Sequence, residues 1–259
     1  MDIIVCVKRV PFTQEVDLEI DAQKKDVDKE SLAFVMNDWD NYVIEEAVRI
    51  KEELGGTVTA ITIGTEEDEE ILRRCLAIGA DKAIRLDAGT TELDSFGISK
   101  VLAQLIKGQP FDLILTGVQA EDDNQGMVGI MLAEHLGLAH AAVVTGVEVK
   151  DKEAEIRCEL EDGLDEKSLL QLPALLTIQT GINEPRYVSI MGIKKAAKKG
   201  IVLMALADLN LTPEDLAPRT MIEEAFLPPE TEGAEMISGE PAHIAEEILR
   251  ILKEKGVRA

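Results

Sequence analysis

An alternation constrains this chain more than any other feature. Near-continuous aliphatic runs, DIIVCVK (2–8), TVTAITIG (57–64) and FDLILTG (111–117), are each followed by a stretch with helical periodicity. A strand without polar alternation is covered on both faces, so such strands demand helices on both sides of one sheet. In MNDWDNYVIEEAVRIKEELGG, residues Val43, Ile44, Ala47, Val48 and Ile50 form the apolar stripe. Asn37 or Asp38 can cap that helix and Gly55-Gly56 can end it. EEDEEILRRCLAIGAD has an acidic first turn suited to the helix dipole and closes near Gly79. DSFGISKVLAQLIK (94–107) is capped by Asp94, and Met127 to Leu136 forms another helix. KAIRLD (82–87) and AAVVTGVEVK (141–150) supply two more strands.

Short strand–helix–strand connections imply right-handed crossovers. The expected fold class is therefore α/β: a doubly wound, mostly parallel sheet of Rossmann-like, adenine-nucleotide-binding type. VDLEID (16–21) reads as a small hairpin or excursion. After residue 150 the rhythm changes, and EAEIRCELEDG, EKSLLQL and PALLTIQTG read as strands joined by turns, a small antiparallel extension. These pieces make an expected domain at 1–205. From 206 to 259 the chain becomes an extended C-terminal arm, broken by Pro213, Pro218 and Pro228-Pro229. It ends in a helix with Ile244, Ile248, Ile251 and Leu252 on one face. Such an arm has little core of its own; it either wraps a partner or packs back on its domain.

The formal net charge is −23 and only 3% of residues are aromatic. The core must be aliphatic. Nucleic acid and anionic membrane surfaces are poor partners for so acidic a chain. No apolar run is long enough to span a bilayer, and MDIIVCVKRV lacks the pattern of a signal peptide. Cys6, Cys75 and Cys158 have no metal-type spacing and read as buried thiols in a reducing cytoplasm.

Ligands of open α/β sheets sit beyond the carboxyl ends of the strands. Cys6-Val7-Lys8, Ile63-Gly64 and GVQAEDDNQGMVG (117–129) all fall at that edge. The helix start at Gly126–Gly129 offers free amides and a positive dipole end to an anion, and its glycines allow close approach. The upstream acids can accept hydrogen bonds from ribose hydroxyls, so the order fits a nucleoside phosphate. The competing reading is plainer: Asp122 or Asp123 caps a helix and Gly126 eases a turn. Neither GxGxxG nor GxxxxGK[ST] is present, and no nucleophile–base or metal-ligand arrangement appears. Among the histidines, His135 suits a cationic role at a helix end. A carrier or binding subunit is favoured over a free-standing enzyme, with neither catalytic nor metal-ligating residues expected.

A second stretch, INEPRYVSIMGIKKAAKKG (182–200), gathers Arg186, Lys194, Lys195, Lys198 and Lys199 around the apolar Tyr187, Ile190, Met191 and Ile193. Pro185 and Gly192 mark part of it as loop. It is either a docking surface, with apolar burial and cationic steering, or a solvated helix start balancing local acids.

Taken together, VCVKRV, MNxxDxYxxEEAxRxKE (36–52), LxxCLAxGADKA (72–83), GxQAxDxxxxxxG (117–129) and NEPRYxSIxxIxKAxKK (183–199) resemble the beta subunit of electron-transfer flavoproteins from Met1 to about Leu209. The resemblance implies electron transport by a heterodimer with an alpha subunit, which holds most of the redox FAD at the shared interface. It implies an arm reaching around that partner. It also implies a structural AMP in this subunit, or a second FAD in electron-bifurcating members that oxidise NADH. Carried onto this chain, the nucleotide contacts are Cys6, Asn37, Asp38, Trp39, Asp40, Ile63, Asp122, Asn124, Gln125, Gly126, Met127, Val128 and Gly129. Arg186 to Lys195 corresponds to the family's recognition loop, with Ile190 as anchor on acyl-CoA dehydrogenases or similar flavin-dependent partners; Lys195 and Lys198 lie beside it. The loop DNQGMVGI departs from both the DDxxxTGQ form of AMP-binding members and the DGDTAQVGP form of bifurcating ones; AMP is favoured. Met191 stands where proline is common. A stand-alone adenine-nucleotide binder of universal-stress type is the alternative from another class.

Overall fold

The computed structural model describes residues 1–14, 16–229, 233–234 and 236–257. In chain order the elements are β1 (Asp2–Cys6), β2 (Arg9–Pro11), β3 (Phe34–Met36), α1 (Asp38–Leu54), β4 (Thr57–Ile63), α2 (Glu69–Ile78), β5 (Lys82–Asp87), α3 (Ser95–Ile106) and β6 (Leu113–Gly117). There follow α4 (Val128–Leu136), β7 (Ala139–Lys150), β8 (Glu153–Glu159), β9 (Asp165–Gln171), β10 (Ala174–Ile178), α5 (Ile190–Ala196), β11 (Val202–Ala205), α6 (Pro213–Leu216) and α7 (Pro241–Glu254). Strand order in the large sheet is β11-β5-β4-β1-β6-β10-β7-β8-β9.

The doubly wound expectation holds. Parallel pairing runs from β11 to β7, and β7, β8 and β9 form the antiparallel extension. Successive residues of the central strands feed opposite cores, as the pleat requires. Ile3, Val5, Leu113 and Leu115 join Val43, Ile44, Val48 and Leu72 on the α1–α2 side. Ile4, Ile114 and Leu175 join Val101, Leu105 and Leu132 on the α3–α4 side.

Three placements differ from the sequence reading. β10 does not extend the antiparallel ribbon; it inserts between β6 and β7, parallel to both. Its run ALLTI is buried at every position, which only an interior strand of a covered sheet satisfies. β11, a strand the sequence reading lacks, forms the far edge beside β5. β2 and β3, also absent from the sequence reading, pair antiparallel at the base of the 12–33 excursion, within which an antiparallel bridge joins Ile20 and Val27 among the described residues.

The arm leaves α6 and is fastened at two points. Asp94 caps α3 through the amide of Gly97 and also accepts the amides of Arg219 (2.6 Å) and Thr220 (2.9 Å). Farther on, Lys25 donates to the carbonyls of Ile222 and Glu223, both at 2.7 Å, and Ala225 N bonds Lys24 O. Among the arm's described residues, Met221 and Phe226 are exposed and no residue of α7 is buried.

Asp94 thus serves a helix cap and the arm at once. Asp94→Ala is expected to lower the unfolding free energy by about 1–2 kcal/mol, the usual worth of a cap. It should also speed tryptic cleavage after Arg219 in the full chain; an unchanged cleavage rate would contradict the anchoring role.

Candidate functional site

From β1 the chain winds outward through β4 and β5, then returns to β6 on the other side of β1. Strand-end loops therefore diverge between β1 and β6, and a crevice opens there. A cleft of about 350 Å³ occupies this switch point. The ends of β1, β4 and β6, the head of α1 and the start of α4 all contribute to it.

The head of α1 organises the crevice. Asn37 is buried and precedes the helix, yet its side chain makes no cap. Instead Nδ2 donates to Gln119 O (2.9 Å) and Oδ1 accepts Glu121 N (3.1 Å), while its own amide bonds Lys8 O. A buried amide side chain must find partners; here they are the backbone of the loop after β6. The cap expected of Asn37 is thus replaced by a staple across the crevice. Asp40, one turn on and also buried, accepts Lys8 N at 2.7 Å. Burial pushes its carboxyl up to about 7, against the opposing pull of that hydrogen bond. Cys6, beside it, is pushed up to about 12 by burial and then by Asp40, so its thiol stays neutral.

Cys6, Asn37, Asp40, Ile63, Gln125, Gly126, Met127, Val128 and Gly129 line the cleft together. Asp38, Trp39, Asp122 and Asn124 do not. Asp38 faces outward in the first turn of α1. Trp39 Nε1 donates to Gln179 Oε1 at 2.8 Å. Asn124 adopts positive φ (48°) and its side chain accepts from Gln119 Nε2. Asp122 and Asp123 are gripped by Lys8 Nζ at 2.6 and 2.8 Å. Burial alone would lower the Lys8 pKa, but the two carboxylates outweigh it and raise it. Neither acid caps α4 with its side chain. Lys8 and Gln119 are among the polar lining residues absent from the expected nucleotide contacts; Lys8 ends the first strand run, but nothing in sequence tells which acids it meets.

Met127 O takes the amide of Met131, so the amides of Val128, Gly129 and Ile130 precede the first complete turn of α4 and face outward along its axis. The glycine at 129 is also required by packing. A Cβ there would lie 2.6 Å from both Thr116 Oγ1 and Thr177 Cγ2, so glycine lets α4 sit against β6 and β10. His135 does not act as a cation at the end of α4: burial, then Lys100 and Lys107, lower its pKa, and its ring meets Phe96 edge-on at 5.4 Å.

The second stretch is also rearranged. Residues 182–189 form no helix or strand, and Ile190–Ala196 is a short helix, as the reading of a helix start allowed, with the Ser189 hydroxyl capping it through Gly192 N (3.0 Å). Gly192 abuts α2: a Cβ there would stand 2.5 Å from Ala77 O. Arg186 is not a free docking cation. It bonds buried Glu45 (2.9 and 3.0 Å) and Glu52 (2.7 and 3.0 Å), pairs that raise its pKa further. Lys199 Nζ bonds Ala80 O at the end of α2. Lys194, Lys195 and Lys198 remain exposed beside Tyr187 (100% exposed), Ile190 (74%), Met191 (68%) and Ile193 (55%). Among the described residues no cluster could hold a metal, and no helix is long and apolar enough to cross a membrane.

Comparison with known proteins adds two findings. Residues 26–209 match the family model described as the electron transfer flavoprotein domain. Over 257 residues the chain is 40% identical to the electron transfer flavoprotein subunit beta of Bacillus subtilis, covering 98% of each chain. It is 38% identical to the subunit of the same name from Methylophilus methylotrophus, again with 98% of each covered. It is 36% identical to the Caffeyl-CoA reductase-Etf complex subunit CarD of Acetobacterium woodii, covering 99% of this chain and 100% of that one.

Asp40 makes the cleft pH-dependent. A carboxyl with a raised folded pKa stabilises the fold below its unfolded value, and this contribution is lost as pH rises through the folded one. The window here runs from 3.8 to about 7. Each unit is worth about 1.4 kcal/mol, so the loss is on the order of 4 kcal/mol. Asp40→Asn should therefore gain stability relative to the parent between pH 5 and 8 in urea titrations. A constant difference across that range would remove Asp40 as the titrating group.

Proposed function

Because the chain belongs to the electron transfer flavoprotein family, as a beta subunit, we propose that it forms a heterodimer with an alpha subunit and carries electrons from flavin-dependent dehydrogenases of acyl-CoA dehydrogenase type to a redox acceptor. The arm is the observation that carries this reading. Met221, Ile222, Phe226 and Leu227 are exposed, and no residue of α7 is fully buried within its own chain. Apolar surface of this kind is stable when a second chain covers it. We divide the chain accordingly into a domain at 1–205 with its docking segment at 182–199 and an arm at 206–259, whose first residues, through Leu209 and Leu216, pack on the domain core and whose part beyond α6 clasps the alpha subunit.

The electron passes through an FAD held mainly by the alpha subunit at the shared interface; that cofactor supplies the redox chemistry. This chain contributes binding and orientation and has no catalytic residues. In its own cleft we place AMP. The volume lies at the low end for small-ligand sites. The amides at Val128–Ile130 suit a phosphate, and Ile63, Ile98 and Leu102 offer an apolar surface to a base. A second reading, FAD at the same place with NADH oxidation, is favoured by the extension of the cleft past Ala88 and Thr91 toward Leu93. Three free cysteines suit a reducing cytoplasm.

Denaturing the purified heterodimer and counting nucleotides separates these readings. One FAD and one AMP are expected; two FAD with NADH-dependent reduction would favour the second reading; no alpha partner and no flavin would overturn both. For docking, α5 presents Ile190 among Lys194, Lys195 and Lys198, an apolar anchor with cationic steering. Ile190→Ala is expected to slow electron delivery from an acyl-CoA dehydrogenase by roughly 10- to 30-fold, about the effect of losing an interface anchor. Nucleotide content should stay the same, and unaltered transfer kinetics would exclude Ile190 as the anchor.

A further inference from the structure

We propose that Lys8 is the positioning residue of the nucleotide site: its ammonium neutralises Asp122 and Asp123, and so permits a phosphate on the amides that open α4. The inference rests on the reading of the cleft as a nucleotide site.

The problem it resolves is electrostatic. The chain has a net charge of −23, and the loop leading to the phosphate position carries Glu121, Asp122 and Asp123. Among the described residues, the charged ones lining the cleft are Lys8, Asp40 and Asp123, of which Lys8 alone is a cation. Two unpaired carboxylates near a helix start oppose a phosphate there, because like charges at short range repel.

Lys8 is placed to cancel them. Its main chain is fixed on both sides, the amide by Asp40 and the carbonyl by Asn37 N. From this rigid post Nζ reaches Asp122 Oδ1 and Asp123 Oδ2. The other oxygen of Asp123 accepts Gln125 N at 3.0 Å, directly before Gly126 turns at φ 62° into α4. One continuous set of bonds thus runs from the end of β1 to Gln125, three residues before the first residue of α4. The pairs themselves are partly exposed, with Lys8 39% accessible, and pairs of that kind add little to folding stability. Their consequence lies in the cleft, where they set both the charge and the position of the loop.

The test uses the full-length chain co-produced with its alpha subunit and freed of bound nucleotide. AMP and adenosine are titrated separately by calorimetry. Lys8→Met should weaken AMP about tenfold or more, the scale of a lost charge-assisted contact, and leave adenosine nearly unchanged. Lys8→Arg should keep most of the AMP affinity. Adding Asp122→Asn and Asp123→Asn to Lys8→Met should restore AMP binding, since the carboxylates that needed neutralising are then gone. Parental AMP affinity in Lys8→Met overturns the proposal. So does equal weakening of AMP and adenosine, which marks a purely structural role. A Lys8→Met form that the two Asn substitutions do not rescue also overturns it, because Lys8 then meets the phosphate directly. If the parent protein binds neither AMP, adenosine nor FAD, the nucleotide reading itself fails and takes this inference with it.

Discussion

The carboxyl edge of the sheet depends on the buried head of α1. Asn37 and Asp40 are polar groups placed where water cannot satisfy them, so the fold must supply their partners. The partners are backbone atoms of two segments that the topology drives apart: Lys8 after β1, and Gln119 and Glu121 after β6. In a doubly wound sheet those segments diverge at the switch point. Two side chains of one helix span the divergence and fix its width. The cleft is thus an opening that the helix holds at a set size, with Cys6 and Asp40 below and the α4 amides at one side.

The same economy recurs elsewhere. Asp94 caps α3 and fastens the root of the arm. Arg186 joins the 182–199 segment to α1 through Glu45 and Glu52. In each case one charged side chain ties a segment of functional interest to the head or flank of a helix whose other face is in the core. The aliphatic core reaches past the sheet and its flanking helices to Ile182 and Val188 on one side and to Leu209 and Leu216 on the other; in a chain with few aromatics and a strongly negative charge, such directed bonds supplement it at the periphery. Beyond those anchors the arm exposes apolar residues. Membership in the electron transfer flavoprotein family explains why a subunit would leave such surface uncovered and displaces the reading of a stand-alone adenine-nucleotide binder.

Much of the architecture was legible because it follows from local periodicity. The unbroken aliphatic runs of β1, β4 and β6 and the striped helices between them leave one fold class. Asp94 as a cap and Gly79 as a terminator were readable from position alone. The placement of β10 was not, since a run of apolar residues carries no mark of which neighbour it joins; only its burial on both faces puts it between β6 and β7. Gly192, read as a loop marker, lies inside the short helix α5 and serves contact with Ala77.

The sequence by itself determined the winding of the sheet, the edge at which a ligand must lie and the segments that carry polar chemistry to it. Those follow from spacing along the chain, which each residue shares with its near neighbours. Tertiary structure alone decided which charges remain free. Lys8 closes on Asp122 and Asp123 across 114 and 115 positions of chain, and Arg186 on Glu45 across 141. Partners so distant in sequence meet only after the strands have paired and the helices have packed, so no local pattern records them.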